Sequence, residues 1–243
     1  MNKAEYGYVA WKKWNRNNFG KINLGGRFYF DQFFNKYKLL SNQKVILEVG
    51  FGNGELLGYL KSLNHVLIGV ETNSVLTSLA IENGYDAFVG LAWKLKALEN
   101  KKFDLILAFD VIEHMGLVDL ESFFSWAAIH LSDKGKLVLR FPEGASPFGL
   151  AYQHGDFTHI STLTKNKLNS LCNGKGMNLL SYDDEYLRSD KLCSFGLFGK
   201  ITLLLLQGYA KFFKSNIKVF LYPLSIDLKL STNSIAIIEK MKS

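Results

Sequence analysis

The chain has little proline and almost no cysteine, and each scarcity narrows what it can be. Three prolines in 243 residues leave no Pro-rich linker along which it would divide into modules. The two cysteines, Cys172 and Cys193, stand far apart with no Cys or His at metal spacing. Neither a disulfide framework nor a zinc site is indicated, and a reducing cytoplasm is expected. No uninterrupted apolar run approaches the roughly 20 residues of a membrane span. The first 20 residues also lack the continuous apolar core of a secretory leader and carry Lys12, Lys13 and Arg16. Acidic residues are outnumbered, 22 to 29, for a formal net charge of +7. That balance admits nucleic acid or anionic lipid as a partner without choosing between them. What is abundant is apolar: 48% hydrophobic residues, with 19 Phe and 11 Tyr, enough for a core and a surplus for an aromatic-lined pocket or an apolar surface. The length suits one well-buried α/β domain with decoration.

Residues 45–54 read Val-Ile-Leu-Glu-Val-Gly-Phe-Gly-Asn-Gly. An apolar strand that runs into a glycine-dense turn and opens a helix is how open α/β sheets make a ligand crevice. A dinucleotide fingerprint would need its third glycine at position 55, which is Glu55. Further strands are expected at 65–71, 86–90, 103–109, 136–141 and 177–183, and a last one at 234–239. Helices are expected at 55–62, 75–83 and 120–131, and a Thr-capped one after Thr164. This alternation argues a doubly wound parallel sheet. The interval from Gly50 to Glu71 is about the 20 residues expected between a glycine turn and a ribose-binding carboxylate.

The order Glu48-x-Gly50-x-Gly52-x-Gly54 at the end of a strand resembles the first motif of class I S-adenosylmethionine (SAM) methyltransferases. The resemblance covers residues 44–183 and the last strand. It implies a Rossmann-like, seven-stranded, mostly parallel sheet with an antiparallel last strand. Four segments follow: an aromatic, basic helical cap over the cofactor site (1–40), a SAM-binding core (41–185), a basic amphipathic helical insertion (186–230) and the last core strand (231–243). It also implies site roles. Gly50, Phe51, Gly52, Asn53 and Gly54 would line the methionine and ribose, and Glu48 would help hold the ammonium end. Glu71, with Thr72 beside it, would accept both ribose hydroxyls. Where many family members carry an acidic residue against the adenine, this chain has Leu91, so the backbone of Leu91 and Ala92 is expected there. Asp110 and Val111 would flank the amino acid part of SAM.

Methyl transfer to oxygen or nitrogen needs a base near neutral pKa, a natural task for histidine. His65 and His130 sit at element boundaries and suit structural roles. His114 lies in Asp-Val-Ile-Glu-His, which resembles methyltransferases of the ubiquinone O-methyltransferase type. Asp156-Phe-Thr-His159 precedes the Thr-capped helix and resembles bacterial glycan and natural-product methyltransferases. His159 is therefore expected as the base, oriented by Asp156 and assisted by His114. Glu113 and His114 alone are too few for a metal, and none is expected.

Lys200, Gln207, Lys211, Lys214 and Lys218 fall within about 60° on a helix at 100° per residue, on an otherwise apolar segment. Residues 200–222 therefore suit a helix in an anionic bilayer interface, or one burying its apolar face in the domain or a homodimer. Taken together, these features resemble bacterial methyltransferases of cell-surface polysaccharide synthesis. That implies a cytoplasmic O-methyltransferase, membrane-associated if the helix binds lipid, acting on a small-molecule or glycan acceptor. A quinone- or lipid-directed enzyme is the alternative. An RNA methyltransferase is disfavoured because no RNA-binding module is recognisable, and a non-catalytic scaffold because the glycines and Glu71 are intact.

Overall fold

A computed structural model describes residues 7, 9–10, 12–185, 188–221 and 229–241, with side chains placed through 216 in the long helix that ends at 221. Its centre is one sheet of seven strands: β1 (Val45–Val49), β2 (Val66–Glu71), β3 (Asp86–Val89), β4 (Phe103–Phe109), β5 (Leu131–Pro142), β6 (Met177–Asp184) and β7 (Asn233–Lys240). Their order is β3-β2-β1-β4-β5-β7-β6. The pairs β1–β2, β1–β4, β2–β3 and β4–β5 are parallel, whereas β7 runs antiparallel to both β5 and β6. This is the expected sheet. Its order reverses beside β1, so the carboxyl ends of β1 and β4 open a crevice between diverging connections.

Alternation along the central strands feeds two cores. Leu47 and Val49 of β1 join Ile106 and Ala108 of β4 on one face, with Phe123, Phe124 and Ala127. The last three lie on helix Leu117–His130 (α4). Ile46, Leu105 and Leu107 point to the other face, against Tyr29, Phe30, Phe33 and Phe34 of helix Leu24–Tyr37 (α1). Period-two burial on both faces is the mark of a sheet covered twice. The aromatic N-terminal segment thus divides its work. Its helix α1 packs under the sheet and touches the crevice through Phe30, while the preceding turns, residues 12–23, reach it through Lys12, Trp14, Asn18, Lys21 and Asn23.

Helix starts follow local chemistry. Asn23 caps α1 by accepting from Gly26 N at 2.8 Å, and Asn73 caps helix Ser74–Glu82 (α3). Ser146, followed by Pro147, caps helix Pro147–Gly155 (α5), which adds a helix to those the sequence pattern predicts. Helices Glu55–Lys61 (α2) and Lys165–Cys172 (α6) complete the α/β alternation. Strand β5 starts earlier than expected, because the Asp133-Lys134-Gly135 turn is a bulge within it: Phe103 pairs with Leu131, but Leu105 already pairs with Lys136.

Between β6 and β7 the chain forms helices Asp190–Cys193 (α7) and Gly196–Leu221 (α8). The polar stripe of α8 turns inward. Lys200 lies over the Phe28 ring, Gln207 bonds Gln32, and Lys214 pairs with Asp184 at 3.6 Å. Leu203 is buried between them. The apolar side faces out: Leu197 is 75% exposed, Phe198 77%, Leu205 70% and Phe212 68%. Burial of that face within the domain is thus not what the described residues do; Lys200 and Lys214 face the protein body because their charges find partners there, and Lys211 is exposed. The side chain of Lys218 and residues 222–228 lie outside the described residues.

Candidate active site

The first strand delivers its turn as the sequence pattern requires. Gly50 (φ 71°) and Gly52 (φ 51°) are left-handed, a conformation cheap only for residues without Cβ. A Cβ on Gly50 would come within 2.4 Å of Val111, so the turn and the β4 terminus touch through bare backbone. Gly54 (φ 70°) is left-handed as well, and it serves packing. It is the N-cap of α2, a Cβ there would strike Phe19, and it does not line the crevice.

The crevice is a cavity of about 1320 Å³ lined by Glu48, Gly50, Phe51, Gly52, Asn53, Glu71, Thr72, Leu91, Asp110, Val111, His114, Asp156 and His159, among others. The expected residues from five separate segments therefore meet in one space. Ala92 does not. It begins a 3-10 turn with its side chain wholly buried in the core, and Trp93 takes the place at the cavity wall. Trp14 closes over Gly52 from the N-terminal segment.

Glu71 is already engaged. Its Oε1 accepts from Thr72 N (2.8 Å), Asn73 N (3.0 Å) and Thr72 Oγ1 (3.2 Å), while Oε2 accepts only from Gly52 N (3.1 Å). An oxygen has two lone pairs, so Oε2 is the open acceptor, and Oε1 opens only if the Thr72 hydroxyl turns away. Glu48 is 5% exposed and its Oε2 has no partner. Burial, then Glu71 and Glu55, push its carboxyl well above the usual range.

At the β4 terminus sequence reasoning missed Arg140. Its Nε donates to Asp110 Oδ1 at 3.0 Å, its Nη2 pairs with Asp110 Oδ2, and Nη1 reaches Glu185 at 3.2 Å. Glu185 also accepts from Tyr29 OH (2.7 Å) and Asn233 Nδ2 (2.7 Å). Asp110 itself is left-handed at φ 57°, a strained backbone held by this network and by its N–H bond to Arg140 O. The only sequence signal was an arginine near the end of an apolar strand.

On the far side, the 3-10 turn Ile112–His114 meets the loop after α5. Glu113 is 1% exposed, both its carboxylate oxygens are unpartnered, and burial, with Asp110 adding, pushes it up to about 8. The His114 and His159 rings sit edge-to-face with centroids 4.6 Å apart. Partial burial lowers the His114 imidazole, opposed by its bond to the Thr158 carbonyl. The expected Asp156–His159 side-chain bond is absent. Asp156 Oδ1 instead accepts from Thr158 N (2.8 Å) and Thr158 Oγ1 (2.6 Å), and that hydroxyl lies 3.0 Å from His114 Nδ1. Asp156 therefore orients His114 through Thr158.

Comparison with known proteins bears on the fold and the family. The fold is shared with a SAM-dependent methyltransferase from Archaeoglobus fulgidus (17% identity, TM-score 0.60, covering 88% of this chain and 94% of that one). It is shared also with a SAM-dependent, possible histamine N-methyltransferase from Thermotoga maritima (16%, TM-score 0.57, 90% and 91%). Magnesium protoporphyrin IX methyltransferase from Synechocystis PCC 6803 with bound SAH aligns as well (11%, TM-score 0.56, 97% and 94%). No curated protein matches the sequence significantly. The methyltransferase domain family matches residues 27–182, well over half of the chain, which therefore belongs to that family.

Proposed function

We propose that this protein is a SAM-dependent methyltransferase acting on oxygen, with a sugar hydroxyl of a surface glycan or its precursor as acceptor. The observation that carries the reading is the shared cavity: the Gly50–Asn53 turn and Glu71 line one part, and Glu113, His114 and His159 another. At about 1320 Å³ it exceeds the roughly 300–1,000 Å³ typical of a one-ligand pocket, leaving room for donor and acceptor together.

The residues fit the donor. The sealed, unpartnered oxygen of Glu48 offers a hydrogen-bond acceptor to an ammonium group. Glu71 Oε2 offers an acceptor to a ribose hydroxyl. The Trp93 indole N–H, buried without a partner at the cavity wall, offers adenine a donor where the family's acidic residue is missing. Bound there, the sulfonium supplies an electrophilic methyl group. The Asp110–Arg140–Glu185 network fixes the β4 terminus against Gly50, and Trp14 shields the turn from water. His159, whose Nδ1 has no partner, takes the acceptor's proton, and His114, oriented by Thr158 and Asp156, supports it.

Calorimetry with SAM and its demethylated product on folded protein tests the donor; absence of binding to both removes the reading. Methyl-labelled SAM with fractionated cell extract tests the acceptor. Label in a nucleotide sugar or lipid-extractable glycan supports the sugar assignment, and label in quinone or RNA overturns it. If His159→Ala turns over at the wild-type rate with unchanged SAM binding, the base is elsewhere.

The outward apolar face of α8 supports a second element of this reading, an anionic membrane surface as partner. Residues 191–226 contain no acidic residue, and Lys191 and Lys211 are exposed, a charge suited to anionic head groups around an inserted apolar ridge. No helix among the described residues is long and apolar enough to cross a membrane, so the contact is interfacial. Flotation with anionic vesicles should carry the protein upward, and Leu205→Glu with Phe212→Glu should abolish this. A stable dimer that ignores vesicles would refute the membrane partner.

A further inference from the structure

Resting on the acceptor side just assigned, we propose that Glu113, His114 and His159 form a binding site for a divalent first-row metal ion. One ligand atom from each residue lies within 4.8 Å of the other two. Glu113 lines this corner, and both its carboxylate oxygens are buried with no donor to satisfy them, the residue being 1% exposed. A carboxylate kept from water without a partner is costly, and a cation at its mouth removes that cost. His159 Nδ1 is enclosed and unpartnered in the same way.

The surroundings set the remaining ligand. His114 Nδ1 lies 3.1 Å from the Thr158 carbonyl and 3.0 Å from its hydroxyl, and that hydroxyl donates to Asp156. A carbonyl only accepts, so Nδ1 carries the proton and Nε2 keeps its lone pair. A histidine held this way by main chain and a carboxylate relay is how protein supports orient metal ligands. The two halves are also pinned together. Ile160 and Ser161 N–H both donate to the Glu113 carbonyl, at 2.8 and 2.9 Å, which fastens the His159 loop to the Glu113–His114 turn. An ion about 2.1 Å from each ligand would draw the three atoms to about 3.4 Å apart, a side-chain adjustment on a fixed backbone.

Two imidazoles and one carboxylate suit ions from Mn²⁺ to Zn²⁺ rather than Mg²⁺ or Ca²⁺, which prefer oxygen. Three protein ligands leave open positions for an acceptor oxygen. Coordination acidifies that hydroxyl: its proton leaves to solvent, the oxygen forms the new O–C bond, and the C–S bond breaks with its electron pair on sulfur. No electrons are lost or gained, so no oxidant is needed. Proton uptake and coordination use the same lone pairs. In the metal-loaded protein His159 is therefore a ligand and not the base.

Chelator-stripped, folded protein titrated with Mn²⁺ and followed by electron paramagnetic resonance tests this without any methyl donor. Saturable binding of one ion per chain is expected. Glu113→Gln and His159→Ala should each weaken it at least tenfold, and Thr158→Val about tenfold at unchanged melting temperature. Should Glu113→Gln not fold, His159→Ala on its loop decides alone. The proposal is overturned if stripped wild type binds neither Mn²⁺ nor Zn²⁺, or if the variants bind as tightly as wild type. That failure leaves SAM calorimetry untouched, whereas an ion-binding protein blind to SAM and its product would sink the proposed function and not the metal site.

Discussion

Gly58 in the middle of α2 offers a test in which two physical arguments predict opposite signs. Replacing a helix-interior glycine by alanine ordinarily stabilises by about 1 kcal/mol, since alanine loses less backbone freedom on folding. Here a Cβ would sit 1.8 Å from the Gly20 carbonyl oxygen and 2.8 Å from its carbon. The neighbour is backbone, so no rotamer change relieves the overlap. Residue 20 is itself fastened, with Gly20 N donating to Asn53 O at 2.8 Å and Asn53 Nδ2 to Asn18 O at 3.1 Å. Overpacking of this kind costs about 2–3 kcal/mol, leaving Gly58→Ala about 1–2 kcal/mol less stable after the helical gain. For a chain of this size that lowers the melting temperature by roughly 2–8 °C. Because the displaced segment carries Trp14 over the glycine turn, SAM affinity should fall as well. Urea unfolding with calorimetry reads both. A variant more stable than wild type would mean that residues 12–23 do not lie on α2 and would refute their placement over the cavity.

Three further outcomes follow from the site. Glu48→Gln should stabilise the ligand-free protein near neutral pH while weakening SAM binding. The raised folded pKa gives Glu48 a contribution that is complete below its unfolded value of about 4.3 and is lost as pH rises through the folded one. The stability gap between variant and wild type should therefore vanish below about pH 4 and widen on raising pH; a constant gap refutes the assignment. Arg140→Met strands Asp110 and Glu185 and should cost about 2–3 kcal/mol by chemical denaturation, below the roughly 3–5 kcal/mol of a fully buried pair because the Asp110 side chain is 44% exposed. Loss below about 0.5 kcal/mol would show the network to be idle. Gly52→Ala should weaken SAM binding at least tenfold, since φ of 51° strains any Cβ and Trp14 stands 3.1 Å from where it would be placed; unaltered calorimetry would refute the closed turn.

The parts of this site that sequence reveals are those fixed by local rules. A strand that alternates on both faces, then a turn that only glycines can make, is written in ten consecutive residues, and Glu71 follows because β2 ends beside β1 in register, with Val49 opposite Val70. Gly54 and Ala92 stand off the cavity lining because a motif tells which residues surround a turn, not which way each points. Gly54 ends in a helix cap facing Phe19, and Ala92 turns into the core through a 3-10 turn that puts Trp93 outward. Arg140 was invisible for a related reason. Its place beside Asp110 comes from the β4–β5 pairing of Phe109 with Arg140, a register that no single strand encodes.

Long-range polar pairing also explains the two largest revisions. Asp156 and His159 are three residues apart, so proximity suggested a direct bond, but Thr158 offers Asp156 both an amide and a hydroxyl at once. A carboxylate satisfied locally passes its influence through that hydroxyl to His114, which reaches the site from a different strand. Helix α8 follows the same logic in reverse. Its lysine stripe was expected to face water or lipid because charge usually does. Yet Asp184 and the Phe28 face await two of those ammoniums on the body, so the helix docks by its polar edge. The apolar remainder is left outside, and an outward ridge of leucine and phenylalanine is stable in water only at a cost of roughly 25 cal/mol for each Å² it keeps wet. A helix that spends its polar side on its own domain therefore needs an apolar surface from elsewhere, which is why the membrane contact follows from the orientation of α8 and not from its lysine count.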